Sequence, residues 1–216
     1  MTKPLIKNII FDLDGTLVDS KRDIAAAQHW VLVQLGVHSH KPEELYPLIG
    51  KPLAETFAAL LPADLHGRIP EATELYKNYY PPRALDTTIL FPGVKETLET
   101  LRARGVRLAT ATTKLSAGTR RVLTHFGIAE HFAQIQGSDN VPFKPDPSII
   151  NKVLEDQSWE KSETLMVGDT DNDILAGKRA GTATCGVTYG SLTKQQMQEL
   201  DPDIVIDSLH DLLRFI

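Results

Sequence analysis

From Gly93 onward the sequence switches repeatedly between two hydrophobic periods, and no other feature limits the fold as much. Residues 106–111, 132–136, 164–167 and 183–188 are short runs rich in apolar and β-branched side chains and read as strands; 204–206 is a further short one. Helical stretches alternate with them over 93–104, 116–126, 147–157 and 171–180, three of which stop at Gly105, Gly127 and Gly181. Strands that each lead into a helix predict an α/β fold: a doubly wound, Rossmann-like parallel sheet covered by helices on both faces. An N-terminal apolar run, 5–11, supplies one more strand, closed by the turn at Asp14-Gly15. Residues 19–35 then read as a helix stopped by Gly36, and 37–83 read as helical throughout, with breaks near Pro42, Gly50-Lys51-Pro52, Pro62 and Pro81-Pro82. The pattern therefore predicts a core built from 1–17 and 84–216 and an inserted all-helical cap domain over 18–83.

Composition excludes several classes. With 216 residues, 42% hydrophobic and 24% charged, the chain is long enough for a core that needs no disulfides. Its single cysteine, Cys185, sits in an apolar stretch and reads as a small buried hydrophobe, which suits a reducing compartment. The net charge of −5 and the lack of a long basic run argue against nucleic acid. The N-terminal apolar run is too short for a signal peptide and no window approaches a membrane span, so the expected location is the cytoplasm.

In open parallel sheets ligands bind beyond the carboxyl ends of the strands. The unusual polar residues fall there in four clusters: Asp12-Leu13-Asp14-Gly15-Thr16, Thr112-Thr113-Lys114, Lys144-Pro145, and Gly168-Asp169-Thr170-Asp171-Asn172-Asp173. Singly each has an ordinary explanation. Asp-Gly is a common turn, a strand-end threonine or a surface lysine is unremarkable, and an aspartate before a helix caps it. Jointly, at one edge of one sheet, they place Asp12, Asp14 and Asp169 together if their strands are neighbours. Two such charges about 4 Å apart repel by roughly 4 kcal/mol at an effective dielectric near 20, so the cluster calls for a cation or a retained proton. Oxygen donors without Cys/His spacing suit Mg²⁺ better than zinc.

These motifs, Asp-Leu-Asp-Gly-Thr-Leu-Val-Asp-Ser directly after a strand, Thr112, Lys144, and Gly168-Asp169 with Asp173 as GDxxxD, resemble the four motifs of the haloacid dehalogenase superfamily. The chain is similar to its phosphoglycolate-phosphatase-like members, whose helical cap is inserted just after the first motif. The resemblance implies a Mg²⁺-dependent phosphatase acting on a small phosphorylated metabolite. Asp12 would be the nucleophile, forming an aspartyl-phosphate, and Asp14 the general acid and then base. Asp12, the Asp14 carbonyl and Asp169 would bind the metal, with Asp173 supporting its waters. Thr112, Lys144 and the backbone of Thr113 would hold the phosphoryl oxygens. Thr113 stands where many relatives have Asn, which leaves the phosphate contacts open.

Within the cap, Lys51 is the candidate for contact with an anionic leaving group. Phosphoglycolate, a sugar phosphate, a nucleotide and pyrophosphate all remain open as substrates. Two alternatives stand beside the phosphatase: a phosphomutase, or a non-catalytic protein that kept the fold. The mutase is disfavoured by the stretch Ser20-Lys21-Arg22-Asp23-Ile24, which lacks the histidine of mutase relatives, and by Leu53 in place of their arginine.

Overall fold

The computed structural model describes residues 6–216. The chain divides into two compact units, residues 1–18 with 90–216 and residues 19–89. The larger unit is built on a six-stranded sheet of β1 (Asn8–Phe11), β4 (Arg107–Ala111), β5 (Phe132–Gln136), β6 (Thr164–Gly168), β7 (Ala183–Val187) and β8 (Ile204–Ile206). The order is β5-β4-β1-β6-β7-β8 and every pairing is parallel. Ile9, Ile10 and Phe11 of β1 are all fully buried, which is the mark of a parallel strand covered on both faces. On one face Ile10, Ala109, Ala111 and Met166 form a core with Ile149, Ile150, Val153 and Leu154 of α6 (Ser148–Gln157) and Ala176 and Ala180 of α7 (Asp171–Ala180). The unit also contains α4 (Val94–Ala103), α5 (Ser116–His125) and α8 (Lys194–Glu199).

The topology places the site. β1 lies between β4 and β6, with Phe11 level with Thr110 on one side and Val167 on the other. After β1 the sheet grows outward through β4 and β5, then resumes on the opposite side of β1 with β6. That reversal is a switch point, where adjacent loops diverge and leave a crevice. The residues after β1, β4 and β6 therefore meet there.

The smaller unit holds α1 (Lys21–Gln34), α2 (Leu53–Leu60) and α3 (Ile69–Arg83), with 3₁₀ turns at Pro42–Leu48 and Ala63–Arg68. Its own core includes Val31, Leu32, Leu45, Phe57, Ala72 and Tyr76. The two-residue strands β2 (Val18–Asp19) and β3 (Ile89–Leu90) pair with each other.

Several elements differ from their sequence-based bounds. The first strand begins at Asn8, and Leu5 lies outside the described residues. The expected exit from the insert at Arg83 falls inside the smaller unit, which continues to Ile89. The reason is Asp23, buried near the start of α1, whose carboxylate accepts bonds from the amides and hydroxyls of both Thr87 and Thr88 at 2.6–3.1 Å. Pro42 does not break a helix but opens a 3₁₀ turn, where its missing N–H costs nothing. Pro81 and Pro82 are carried in the last turn of α3, and the Arg83 guanidinium donates back to the Tyr79 carbonyl at 3.0 Å. The helix α8 has no apolar stripe to betray it, since only Met197 is buried; its capping box, Thr193 with Gln196, starts it. Among the described residues no helix is long and apolar enough to cross a membrane.

Candidate active site

The polar residues predicted at the strand ends converge. Asp12, Asp169 and Asp173 are buried, and each offers a carboxylate oxygen within 4.8 Å of the others, the one such group among the described residues. Lys144, only 4% exposed, reaches into them. Its Nζ donates to Asp12 Oδ1 at 2.7 Å, to the Ala111 carbonyl at 2.9 Å and, by a short contact, to Asp173 Oδ1. The other Asp12 oxygen accepts no hydrogen bond among the described residues.

Each carboxylate is set by local backbone chemistry. Asp173 is the third residue of α7 and closes a capping box: its Oδ2 accepts from the Thr170 amide at 3.0 Å and hydroxyl at 2.6 Å. Both of its oxygens are thus committed. Asp169 accepts from the Thr16 hydroxyl at 3.0 Å and the Ser191 amide at 2.9 Å. It is packed between two glycines. Gly15 has φ +91°, and a β-carbon on it would stand 2.2 Å from Asp169 Oδ2; one on Gly190 would stand 2.3 Å from Asp169 Cβ. The Tyr189 hydroxyl donates to the Thr16 carbonyl at 2.9 Å, so the loop after β7 grips both Asp169 and the loop after β1.

Asp14 is placed differently. Its side chain stands outside the three-carboxylate group and pairs with Lys114 Nζ at 2.9 Å. The metal contact implied by the resemblance uses its backbone carbonyl and not this side chain. Thr112 is fully buried, and its hydroxyl accepts from the Lys114 amide at 3.3 Å. The Thr113 carbonyl accepts from the Ser138 hydroxyl at 2.7 Å. Lys51 is exposed in the smaller unit. Cys185 is buried in β7.

Burial and neighbouring charge govern ionisation. Burial pushes the Asp12 carboxyl up to about 8; Lys144 opposes this, while Asp173 and Asp169 add to it. Asp169 is raised to about 6, first by burial and then by Asp173, with the Ser191 and Thr16 bonds working the other way. Burial alone would discharge Lys144, but Asp12 and Asp173 outweigh it and hold the ammonium well above its ordinary range. One lysine against three buried carboxylates leaves the site short of positive charge. The all-oxygen donor set fits a hard divalent cation.

The contributions of Tyr189-Gly190-Ser191, of Gly137-Ser138-Asp139, and of Lys114 to Asp14 carry no motif of their own in the sequence. The first two loops also follow strands, β7 and β5, and that position was the available signal.

The sequence matches the family described as haloacid dehalogenase-like hydrolase over residues 9–187. It is 38% identical over 227 residues to a Vibrio parahaemolyticus protein named phosphoglycolate phosphatase, covering 100% of this chain and 98% of that one. It is 33% identical over 214 residues to a Bacillus velezensis protein named pyrophosphatase PpaX, covering 99% and 97%. Among solved structures, a haloacid dehalogenase-like hydrolase from Streptococcus pneumoniae superposes with TM-score 0.89 at 28% identity, covering 97% of this chain and 98% of that one.

Proposed function

The chain belongs to the haloacid dehalogenase-like hydrolase family, and on that premise we propose that this phosphatase cleaves a small phosphate monoester through an aspartyl-phosphate at Asp12, with Mg²⁺ bound beside it. The observation that carries the reading is the asymmetry of the Asp12 carboxylate. One oxygen is anchored by Lys144 and the other is unengaged, as a nucleophile positioned for in-line attack requires.

In the first step the unengaged Asp12 oxygen attacks phosphorus as the bond to the leaving oxygen breaks, and Asp14 gives its proton to that oxygen. In the second, water attacks the phosphorus of the aspartyl-phosphate, Asp14 takes a proton from it, and inorganic phosphate leaves with Asp12 restored. Thr112, the Thr113 amide and Lys144 hold the phosphoryl oxygens and stabilise the charge that gathers there. The metal would be held by Asp12, Asp169 and the Asp14 carbonyl, while Asp173 keeps Lys144 in place. When bound, Mg²⁺ offsets the repulsion among the carboxylates and the phosphoryl group. Relatives named for phosphoglycolate and for pyrophosphate support a leaving group that carries a negative charge of its own. The helical unit is proposed to act as the cap, with Lys51 contributing to that end of the substrate.

Phosphate release from a panel of esters, including p-nitrophenyl phosphate, tests this. EDTA should lower turnover at least about 100-fold and Mg²⁺ should restore it, while Ca²⁺ should inhibit because it accepts more ligands. Full activity in stripped protein would sink the metal requirement, and no hydrolysis of any ester would sink the phosphatase.

The raised carboxyls also predict a pH effect on stability. A group whose pKa is higher folded than unfolded binds more protons in the folded state, so stability falls as pH climbs through the interval between the two values. For Asp12 that interval runs from the ordinary 3.8 to about 8. Melting of metal-free protein should therefore drop steadily from pH 5 to 8, and the rise in Tm on adding Mg²⁺ should be largest at pH 8. A Mg²⁺ effect that shrinks as pH rises would contradict the assignment.

A further inference from the structure

Lys114 belongs to one of the four strand-end clusters, yet none of the roles above uses its side chain. Its ammonium lies 2.9 Å from Asp14 Oδ2, and both side chains are only 11% exposed. The loop that carries it, between β4 and α5, is fastened along its length. Ser138 donates its amide to the Lys114 carbonyl at 3.1 Å and its hydroxyl to the Thr113 carbonyl at 2.7 Å. Asp139 accepts from the Ser116 amide at 2.7 Å and from the Ser116 hydroxyl, and the hydroxyl in turn accepts from the Gly137 amide at 2.9 Å. These bonds hold the Asp139 carboxyl below its ordinary range, with the Ser116 hydroxyl as the largest cause. The contact is close enough that a β-carbon on Gly137 would stand 2.4 Å from the Lys114 carbonyl oxygen. The lysine stem itself lies over Gly118, where an added β-carbon would meet Lys114 Cγ and Cδ at 3.4 Å. A solubilising lysine needs no such support, and its four-carbon stem would ordinarily sample solvent.

We propose that Lys114 recognises the second negative charge of the substrate, its ammonium moving from Asp14 to a carboxylate or second phosphate on the leaving group. The inference rests on the phosphatase reading above, in which Asp14 meets the leaving oxygen. A cation seated on the Asp14 carboxylate is then beside the leaving group. In a 2-phospho-carboxylate the carboxylate is one methylene from the ester oxygen, and in pyrophosphate the second phosphorus is bonded to it directly. Both carry the anion next to the oxygen that Asp14 meets. A neutral leaving group offers Lys114 no charge-assisted bond, so the lysine stays on Asp14. A lysine that only neutralised Asp14 would instead affect charged and uncharged substrates alike.

The test compares kcat/KM for 2-phosphoglycolate and for its uncharged amide, 2-phosphoglycolamide, which differ little at the ester oxygen. The wild-type protein should prefer the carboxylate by about 10–100-fold, the range of a hydrogen bond to a charged group. In Lys114→Met that ratio should collapse to within about 3-fold of one, and in Lys114→Arg, which keeps the charge, most of it should survive. Melting of each variant is recorded alongside, so that a folding defect is read separately. Equal proportional loss on both esters in Lys114→Met would overturn the proposal, as would a ratio that collapses in Lys51→Met and persists in Lys114→Met. A wild-type protein that hydrolyses p-nitrophenyl phosphate but does not distinguish the two esters would overturn the Lys114 inference alone. One that hydrolyses no ester would fail the phosphatase reading instead.

Discussion

Asp12→Asn is expected to abolish turnover of every phosphate ester while leaving a folded protein. An amide oxygen is a poor nucleophile and a weaker metal ligand, so the covalent route is lost at its first step. Removing a nucleophile from a cooperating set costs at least about 10⁴-fold in kcat. Aryl and alkyl phosphates should suffer alike, because leaving-group quality cannot replace the attacking oxygen. Stability should move the other way. Asp12 is buried against Asp169 and Asp173, and burial already pushes its carboxyl up to about 8. A neutral amide removes that repulsion, and Lys144 keeps its contact with Asp173. The metal-free variant should therefore melt at or above the wild-type temperature at pH 8. Wild-type-like turnover would overturn Asp12 as nucleophile, and a Tm well below wild type at pH 8 would overturn the electrostatic account of its burial.

Lys144→Met should produce the largest loss of stability. The ammonium serves two buried carboxylates and one carbonyl, and its side chain is 3% exposed. Methionine fills similar space but leaves Asp12 and Asp173 facing each other without a cation. Breaking a buried ion pair from one side costs about 3–5 kcal/mol. In a chain of this length that lowers Tm by roughly 6–20 °C. Activity should fall at least about 100-fold, the usual effect of removing one donor from a charge-stabilising site. The double variant Asp12→Asn/Lys144→Met should melt higher than Lys144→Met alone, because one of the orphaned charges goes with its partner. Thermal melts of the four proteins in EDTA decide this. Strict additivity, or a Lys144→Met protein as stable as wild type, would show that the lysine is not what holds the carboxylates together.

Some of this site was legible because its residues sit at positions that strand ends define. Asp12, Thr112 and Asp169 each follow a short apolar run, and a parallel sheet brings such positions to one edge. Other parts were not legible because they depend on which strands are neighbours. Strand ends bring Asp12, Asp14 and Asp169 to one edge, but positions two apart in a turn point in different directions, and the Asp14 side chain meets Lys114. Asp173 shares Lys144 with Asp12 because the capping box of α7 turns it inward, a contact that no local pattern announces. The grip of Ser191 on Asp169 uses a backbone amide, which carries no side-chain signature at all.

By itself, then, the sequence determined the fold class, the alternation of strand and helix, the helical insert and the chemical types gathered at the strand ends. These follow from hydrophobic period and from turn chemistry, which act over a few residues. Only the tertiary structure decided the pairing of charges: Lys144 with Asp12 and Asp173, Lys114 with Asp14, Asp169 between Gly15 and Gly190. It also extended the inserted unit to Ile89 through the bonds of Asp23 to Thr87 and Thr88. Such contacts join residues far apart in the chain, and their strength depends on burial and on distances of a few ångströms, which only the order of strands around β1 sets.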